Sequence, residues 1–523
     1  MVVAMKLWCF AIIACRNFSS KASSYSNGKK NGRSWPGNLY YLSKNKEGGR
    51  RSKAVSRPKS KTNWTDEQNR VLEAVCNGKS VFVTGSAGTG KTFLLEEIIR
   101  KLKKIHGRSG VYVTASTGVA ACALRGQTLH SFSGVGYGEL GREGLLERVL
   151  SDRGACRRWR KVKALVIDET SMVDADLFDG LAYVARRLRE DVESASGNAT
   201  WGGIQLIVSG DFFQLSPIVG SKKGVKKGVK KGVKKVYAFE ADCWSSSFDL
   251  QIELTRVFRQ SEALLVHLLQ GIRRAEADPA DLELLVECCS VSEPDPSAVQ
   301  LFPRIADVNK VNKEKMEELD EEVHVYTAQD SGGRQWLKQL KSGIARDELE
   351  ICVGARVMLI KNINPWRKLV NGATGTVLDF CRVSEKGYGM SEDCSHGDVL
   401  PLVKFDSGLE AIVEPETWEV RDGDKVVATR RQIPLILSWA LSIHKCQGMS
   451  LDKLHTDLSR VFGPGMVYVA LSRVRSLSGL GLSGLEPSKI TAHPKVLEFY
   501  RSFGEGQNES DAAVLVSKMR VEK

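Results

Sequence analysis

An α/β fold is predicted: a first domain with a doubly wound parallel sheet, then a second α/β region interrupted by a small all-β, barrel-like insert. Three observations predict it. Short apolar runs ("SVFVTG", "GVYVTAST", "KALVIDE", "IQLIVSGD") recur between residues 80 and 210 without alternation, as strands buried on both faces do. Helical patterns separate these runs, the rhythm of a parallel sheet. From about 372 to 432 the texture changes. "GATGTVLDF", "LPLVKFDSGLEAIVEP" and "VVATRRQIP" alternate with turn residues, as in a small antiparallel barrel. The α/β pattern then resumes with "PLILSWALSIHKCQG" and "MVYVALSRVRSLSGLGL".

The chain has 523 residues and 42% hydrophobic content, enough for two or three domains. Residues 1–60 open it with 13 Lys/Arg and one acid, Glu47. "MVVAMKLWCFAIIACRNFSSKASSYSNGKK" has no acidic residue and is rich in Ser, Lys and Arg, the composition of a mitochondrial transit peptide. A secretory signal with "LWCFAIIAC" as its apolar region and an untargeted basic arm are the rival readings. The matrix is the expected compartment and the nucleus the alternative. Residues 31–60 read as a polar linker.

Residues 81–95, "VFVTGSAGTGKTFLL", are a strand, a glycine-rich turn and a helix matching G-x-x-x-x-G-K-[ST]. Gly85, Gly88 and Gly90 let the turn (Ser86, Ala87 and Thr89 included) point its N–H groups inward as an anion nest. The helix starting near Lys91 adds its positive end. Lys91 would reach the terminal phosphates of a nucleotide, and the Thr92 hydroxyl would bind Mg²⁺.

"LVIDETSM" places Asp168 and Glu169 at a strand's end, 77 residues after Lys91. One carboxylate would complete the Mg²⁺ shell and the other polarise an attacking water. Gln214 in "GDFFQLSP" can bond the γ-phosphate or that water. Gln68 in "WTDEQNRVL" can recognise adenine through paired amide bonds. In the second α/β region, Arg259 ("LTRVFRQ") and Arg473 ("VALSRVRS") can each reach across a cleft to the γ-phosphate.

The net charge of +14 is unevenly spread. Residues 1–60 carry +12 and the run "KKGVKKGVKKGVKK" (222–235) carries +8, which leaves the remainder mildly acidic. Global charge is therefore weak ground for inferring nucleic-acid binding. The lysine run, with three glycines, reads as a flexible loop. Its role is either none or that of an arm gripping nucleic-acid phosphates. The twelve cysteines include no C-x-x-C pair, so reduced thiols are expected and no zinc site. No apolar run reaches 18 residues, so no membrane-spanning helix is expected.

In order, "GSAGTGKT", "TASTGVAACALRGQTLHSF", "LVIDETSMVDADLFD", "SGDFFQLSP", "LTRVFRQ", "IHKCQGMSLD" and "VYVALSRVRSLSGL" resemble the superfamily 1 DNA helicases, and within them the petite-integration-frequency (Pif) family, relatives of RecD. The resemblance covers about residues 61–503. It implies two RecA-like domains with ATP and Mg²⁺ between them, 5′-to-3′ movement on single-stranded DNA, and unwinding of duplex or forked DNA by a monomer. RNA–DNA hybrids and four-stranded guanine structures are further substrates that it brings into view.

Carried over by motif, Gln68, the loop from Gly85 to Thr92 and Gly448 are implied to contact the nucleotide, with Thr92 and Asp168 on the metal. Lys91, Asp168, Glu169, Gln214, Arg259 and Arg473 are the implied catalytic set. Thr117, His130, Phe132, His444 and Lys445 fall in motifs that line the family's strand path or couple it to ATP, and Tyr468, Ser472 and Arg475 lie in the last motif, near where the family contacts DNA. Single strands are held by phosphate contacts and by stacking on rings, and "TLHSF" offers both ring types.

Two departures stand out. Ser216 replaces a usual proline and Ser450 a frequent threonine, and neither removes a catalytic group. The implied organisation is 61–243 for the first domain, with a separating wedge at about 133–160 and the Lys-rich loop at 221–235. The second domain is 244–371 with 433–503, around the insert 372–432, and a tail follows at 504–523. Two other classes stay open: a DNA clamp or switch without unwinding, and a P-loop enzyme such as a kinase, which leaves "IHKCQG" without an account.

Overall fold

The computed structural model describes residues 63–502, except 136–139, 191–199, 218–235, 334–335, 338–339, 341–344, 365–366, 368, 383–398 and 423–424. The expected targeting segment and linker (1–60), the Lys-rich loop (221–235) and the tail (504–523) lie outside the described residues.

Six strands make the first sheet: β1 (Val81–Gly85), β2 (Val111–Ala115), β3 (Gln127–Thr128), β4 (Ala164–Asp168), β5 (Gln205–Ser209) and β6 (Leu250–Leu254). All pair in parallel, in the order β3-β2-β4-β5-β1-β6. Every residue of β1, β2, β4 and β5 is buried, because helices cover both faces. Val81 and Val83 face the helices Asp66–Cys76 and Lys91–Ile105, meeting Val71, Val75, Leu94, Ile98 and Leu102. Phe82 between them faces the other layer, with Phe178 and Leu181 of the helix Ala175–Arg189.

The expected wedge region holds two helices, Arg142–Leu150 and Arg153–Lys161. The first packs so closely on Ala175–Arg189 that a Cβ on Gly180 would lie 2.4 Å from Leu145 Cδ1.

The second sheet starts with β7 (Val299–Phe302), after the helices Ala263–Arg274 and Pro279–Cys289. The chain then leaves it for ten short strands: β8 (His324–Thr327), β9 (Gln329–Gly332), β10 (Glu348–Ile351), β11 (Arg356–Leu359), β12 (Thr374–Arg382), β13 (Val399–Phe405), β14 (Glu410–Ile412), β15 (Glu416–Asp422), β16 (Lys425–Gln432) and β17 (Leu435–Leu437). It returns with β18 (Ala440–Ser442), β19 (Leu454–Asp457) and β20 (Leu480–Ser483), in the parallel order β18-β7-β19-β20. The ten excursion strands pair antiparallel, in sheets β14-β13-β12-β11-β17, β15-β16-β9 and β10-β8.

Three expectations are corrected. The second domain was expected to begin at 244, but β6 completes the first sheet beside β1, so the seam between lobes falls after Leu254. The all-β insert extends beyond 372–432, because β11 and β17 are integral to its five-stranded sheet. Cys76, Cys156, Cys243, Cys289, Cys352, Cys381 and Cys446 are free thiols, as expected, whereas Cys288 is disulfide-bonded.

Past the second sheet, a helix over 494–502 returns to the first lobe. Its Phe499 ring packs against Phe82, Phe212 and Phe239.

Candidate nucleotide site at the seam of two lobes

The phosphate turn has the backbone that its sequence requires. Gly85, Gly88 and Gly90 have φ of 146°, 87° and 82°, and Gly90 starts the helix Lys91–Ile105 without any side-chain cap. The first-turn N–H groups are thus left for a ligand. Lys91 Nζ donates to the carbonyls of Gly85 (2.7 Å) and Ser86 (3.0 Å), inside the turn. Burial lowers its pKa, against the pull of Asp211 and Glu169. Thr89 Oγ1 closes the turn on Ser86 O at 2.9 Å. Thr92 is exposed beside it. Gln68 is buried, and its carbonyl accepts from Thr65 N–H in a capping box. Its amide nitrogen lies 3.5 Å from where a Cβ of Gly90 would be.

Asp168 ends β4 and is buried, which raises its pKa. Glu169 follows in a left-handed conformation, φ 52°. Its pKa is pushed up to about 7, by burial first and by the neighbouring Asp168 second. The turn after β5 supplies Asp211 and Gln214, with Gln214 Nε2 donating to Asp211 Oδ2 at 3.3 Å.

Further partners come from beyond Leu254. Arg273 grips Asp211 with two bonds, Nη2 to Oδ1 at 2.8 Å and Nε to Oδ2 at 3.2 Å. Burial alone would raise Asp211, but the charges of Arg273 and Lys91 outweigh it and hold the carboxyl below its ordinary value. Gln447 Nε2 donates to Glu169 Oε2 at 2.8 Å and to Gln214 Oε1 at 3.3 Å. Gln270 donates to Ser86 Oγ at 3.0 Å. Tyr468 Oη accepts from Ala87 N–H at 2.7 Å.

Arg259 lies against the turn, 2.6 Å from where a Cβ of Gly88 would be. Its guanidinium donates to the carbonyls of Ser472 (3.0 Å) and Gly448 (3.4 Å). Burial, with Arg473 nearby, lowers its pKa to about 9. Arg473 is buried, donating to Val469 O at 2.8 Å and to Ser472 Oγ at 2.7 Å.

The structure thus brings together Gln68, the turn from Gly85 to Thr92, Asp168, Glu169, Gln214, Arg259, Gly448 and Arg473. The exposed Thr92 hydroxyl and the Asp168 carboxylate suit a hard cation that keeps most of its ligands from phosphate and water. Among the described residues no cluster of three His, Cys, Asp or Glu could hold a metal by itself.

The strand-path candidates divide. Lys445 and Arg475 are exposed, and Arg475 pairs with Asp452 at 3.1 Å. His130 and His444 are half-buried, with pKa values lowered by burial. Thr117 Oγ1 caps the helix Gly118–Ala123 through Ala120 N–H.

Three of the candidates are corrected. Phe132 is fully buried between Tyr112 and Trp159, so its ring is core and offers no face to a base. Tyr468 and Ser472 are also buried: the Tyr468 hydroxyl meets Ala87 N–H of the phosphate turn, and the Ser472 carbonyl accepts from Arg259.

Sequence reasoning missed Arg273, Gln447, Gln260 and Gln270. Gln447 and Gln260 stand inside the quoted motifs "IHKCQG" and "LTRVFRQ", so their signal was present. Gln260 Nε2 donates to Val474 O at 2.8 Å. Arg273 and Gln270 lie on an amphipathic helix, where polar residues read as surface.

Comparison with known proteins gives a consistent result. Residues 63–268 match the PIF1-like helicase family and residues 337–380 the 2B domain of DNA helicase Pif1. The chain is similar to the Homo sapiens ATP-dependent DNA helicase PIF1, 38% identical over 461 residues, covering 88% of this chain and 66% of that protein. It spans a little under two thirds of the length of such curated relatives, 62–66%.

Among solved structures it resembles Pif1 helicase from Candida albicans, with 36% identity and a TM-score of 0.64, over 85% of this chain and 100% of that one. It also resembles the Bacteroides Pif1 helicase in complex with ADP-AlF3 and ssDNA, with 28% identity and a TM-score of 0.53, over 85% and 98%.

Proposed function

The chain belongs to the PIF1-like helicase family, and from that premise we propose that it is an ATP-dependent DNA helicase moving 5′-to-3′ along single-stranded DNA. One observation carries the reading. The groups that would hold and cleave ATP in the first lobe are bonded directly to Arg273, Gln447, Gln270 and Tyr468 of the second. Any change at the phosphates is therefore felt across the seam, which is what a motor needs.

In this reading the turn's N–H groups and the helix end bind the phosphates, and Lys91 exchanges its carbonyl partners for them. Thr92 and Asp168 would hold Mg²⁺, which supplies charge neutralisation on the phosphate oxygens. Glu169 orients and deprotonates the attacking water. Arg259 and Arg473, from the far side of the seam, stabilise the charge developing on the transferred group. Gln214 reports the γ-phosphate to Gln447. Relatives of known structure bind ssDNA, and the exposed Lys445 and Arg475 with half-buried His130 and His444 support a strand path across both lobes. The Ser-, Lys- and Arg-rich N-terminus supports work on DNA in the mitochondrial matrix.

The test is hydrolysis of ATP by the purified protein with and without single-stranded DNA. Many-fold stimulation is expected, abolished by Lys91→Ala, and equal rates with and without DNA would sink the motor reading. Duplexes with a 5′ or a 3′ tail then fix the direction. Displacement of only the 3′-tailed duplex contradicts the assignment.

A further inference from the structure

The helix over 494–502 belongs to no motif singled out in the sequence, yet it reaches the nucleotide site from behind. Tyr500 is buried, and its Oη meets three groups of the first lobe. Thr84 Oγ1, one residue before Gly85, lies at 2.5 Å. Phe212 N–H donates to it at 3.3 Å, and it donates in turn to Asp211 Oδ1 at 3.4 Å. The ring stacks on Phe213 with centroids 4.6 Å apart. The Arg273 guanidinium lies over both rings, 5.3 Å from Tyr500 and 4.6 Å from Phe213.

These contacts continue into a chain of hydrogen bonds. Tyr500 and Arg273 fix Asp211, Asp211 accepts from Gln214, Gln214 accepts from Gln447, and Gln447 donates to Glu169. Each side-chain amide has one donor end and one acceptor end. The fixed acceptor at Asp211 therefore decides which way Gln214 points, and Gln214 in turn biases the rotamer of Gln447.

We propose that Tyr500 is a positioning residue for ATP hydrolysis: with Arg273 it pins Asp211 and, through Gln214 and Gln447, sets the place of the Glu169 carboxylate. The proposal rests on the nucleotide-hydrolysis reading above. It assigns to the helix over 494–502 a part in the active site that packing alone would not give.

Tyr500→Phe keeps the ring stack and removes only the hydroxyl. The expected result is a fall of about tenfold in kcat for DNA-stimulated ATP hydrolysis, the scale of one hydrogen bond to a charged group. KM for ATP should change by less than about twofold, because the phosphate turn itself is untouched. The double variant with Gln214→Ala discriminates further: if the hydroxyl acts through Gln214, adding Tyr500→Phe to Gln214→Ala costs nothing more.

A kcat unchanged by Tyr500→Phe, or full additivity with Gln214→Ala, overturns the proposal, since a purely structural hydroxyl would lower the melting temperature without coupling to Gln214. Wild-type protein that hydrolyses no ATP in the presence of DNA would remove both this proposal and the reading beneath it. An active wild type with an indifferent Tyr500→Phe removes this proposal alone.

Discussion

Asp211 and Arg273 form a fully buried ion pair between the two lobes. Removing one partner strands the other charge away from water, so Asp211→Asn should cost roughly 3–5 kcal/mol at neutral pH, read by denaturant unfolding. The folded pKa of Asp211 lies below the ordinary aspartate value of 3.8. Its contribution is therefore complete above about pH 4 and fades as pH falls through the folded value, so the wild-type advantage should shrink on acidification. Phe132 invites a different experiment. With its ring buried against Tyr112 and Trp159, Phe132→Ala should cost about 3–5 kcal/mol of stability. It should leave the single-strand affinity of the folded fraction unchanged; a selective loss of affinity would restore it to the strand path. Lys91, Asp168, Glu169 and Gln214 were legible from spacing because phosphate chemistry demands those residue types at strand ends. Phe132 was misread because an aromatic after a strand has the same local signature in a groove and in a core.

Among the elements, the phosphate turn and the loop ahead of the helix Met466–Leu471 define how closely the lobes can approach. Gly465 has φ 76°, and a Cβ there would lie 2.4 Å from Phe213 O and 2.8 Å from Gln214 O. Gly465→Ala should hold the seam open, reducing DNA-stimulated ATP hydrolysis at least about tenfold while each lobe stays folded by circular dichroism. The buried strands β1, β2, β4 and β5 were readable because burial on both faces leaves an apolar run. β6 was assigned to the wrong lobe because a strand's own pattern does not say which neighbour it pairs with. β11 and β17 escaped the expected insert for a related reason: four residues and three residues are too few to show a period.

At the scale of the whole molecule, ligand and lobes should stabilise one another. A non-hydrolysable ATP analogue with Mg²⁺ should raise the melting temperature of the wild type, by linkage worth about 2.7 kcal/mol at a hundredfold excess over Kd. It should do so far less for Lys91→Ala, and an equal shift in both would place the ligand elsewhere. By itself the sequence determined the class of fold, the phosphate turn, the paired carboxylates and the two arginines, because each is written in a local pattern that backbone geometry and phosphate chemistry enforce. Only the tertiary structure decided which lobe owns β6, that Phe132, Tyr468 and Ser472 are buried, and that Arg273, Gln447 and Tyr500 hydrogen-bond to Asp211 or Glu169. Those facts depend on contacts between segments as far apart as Thr84 and Tyr500, 416 residues along the chain, and no local pattern encodes a distance of that kind.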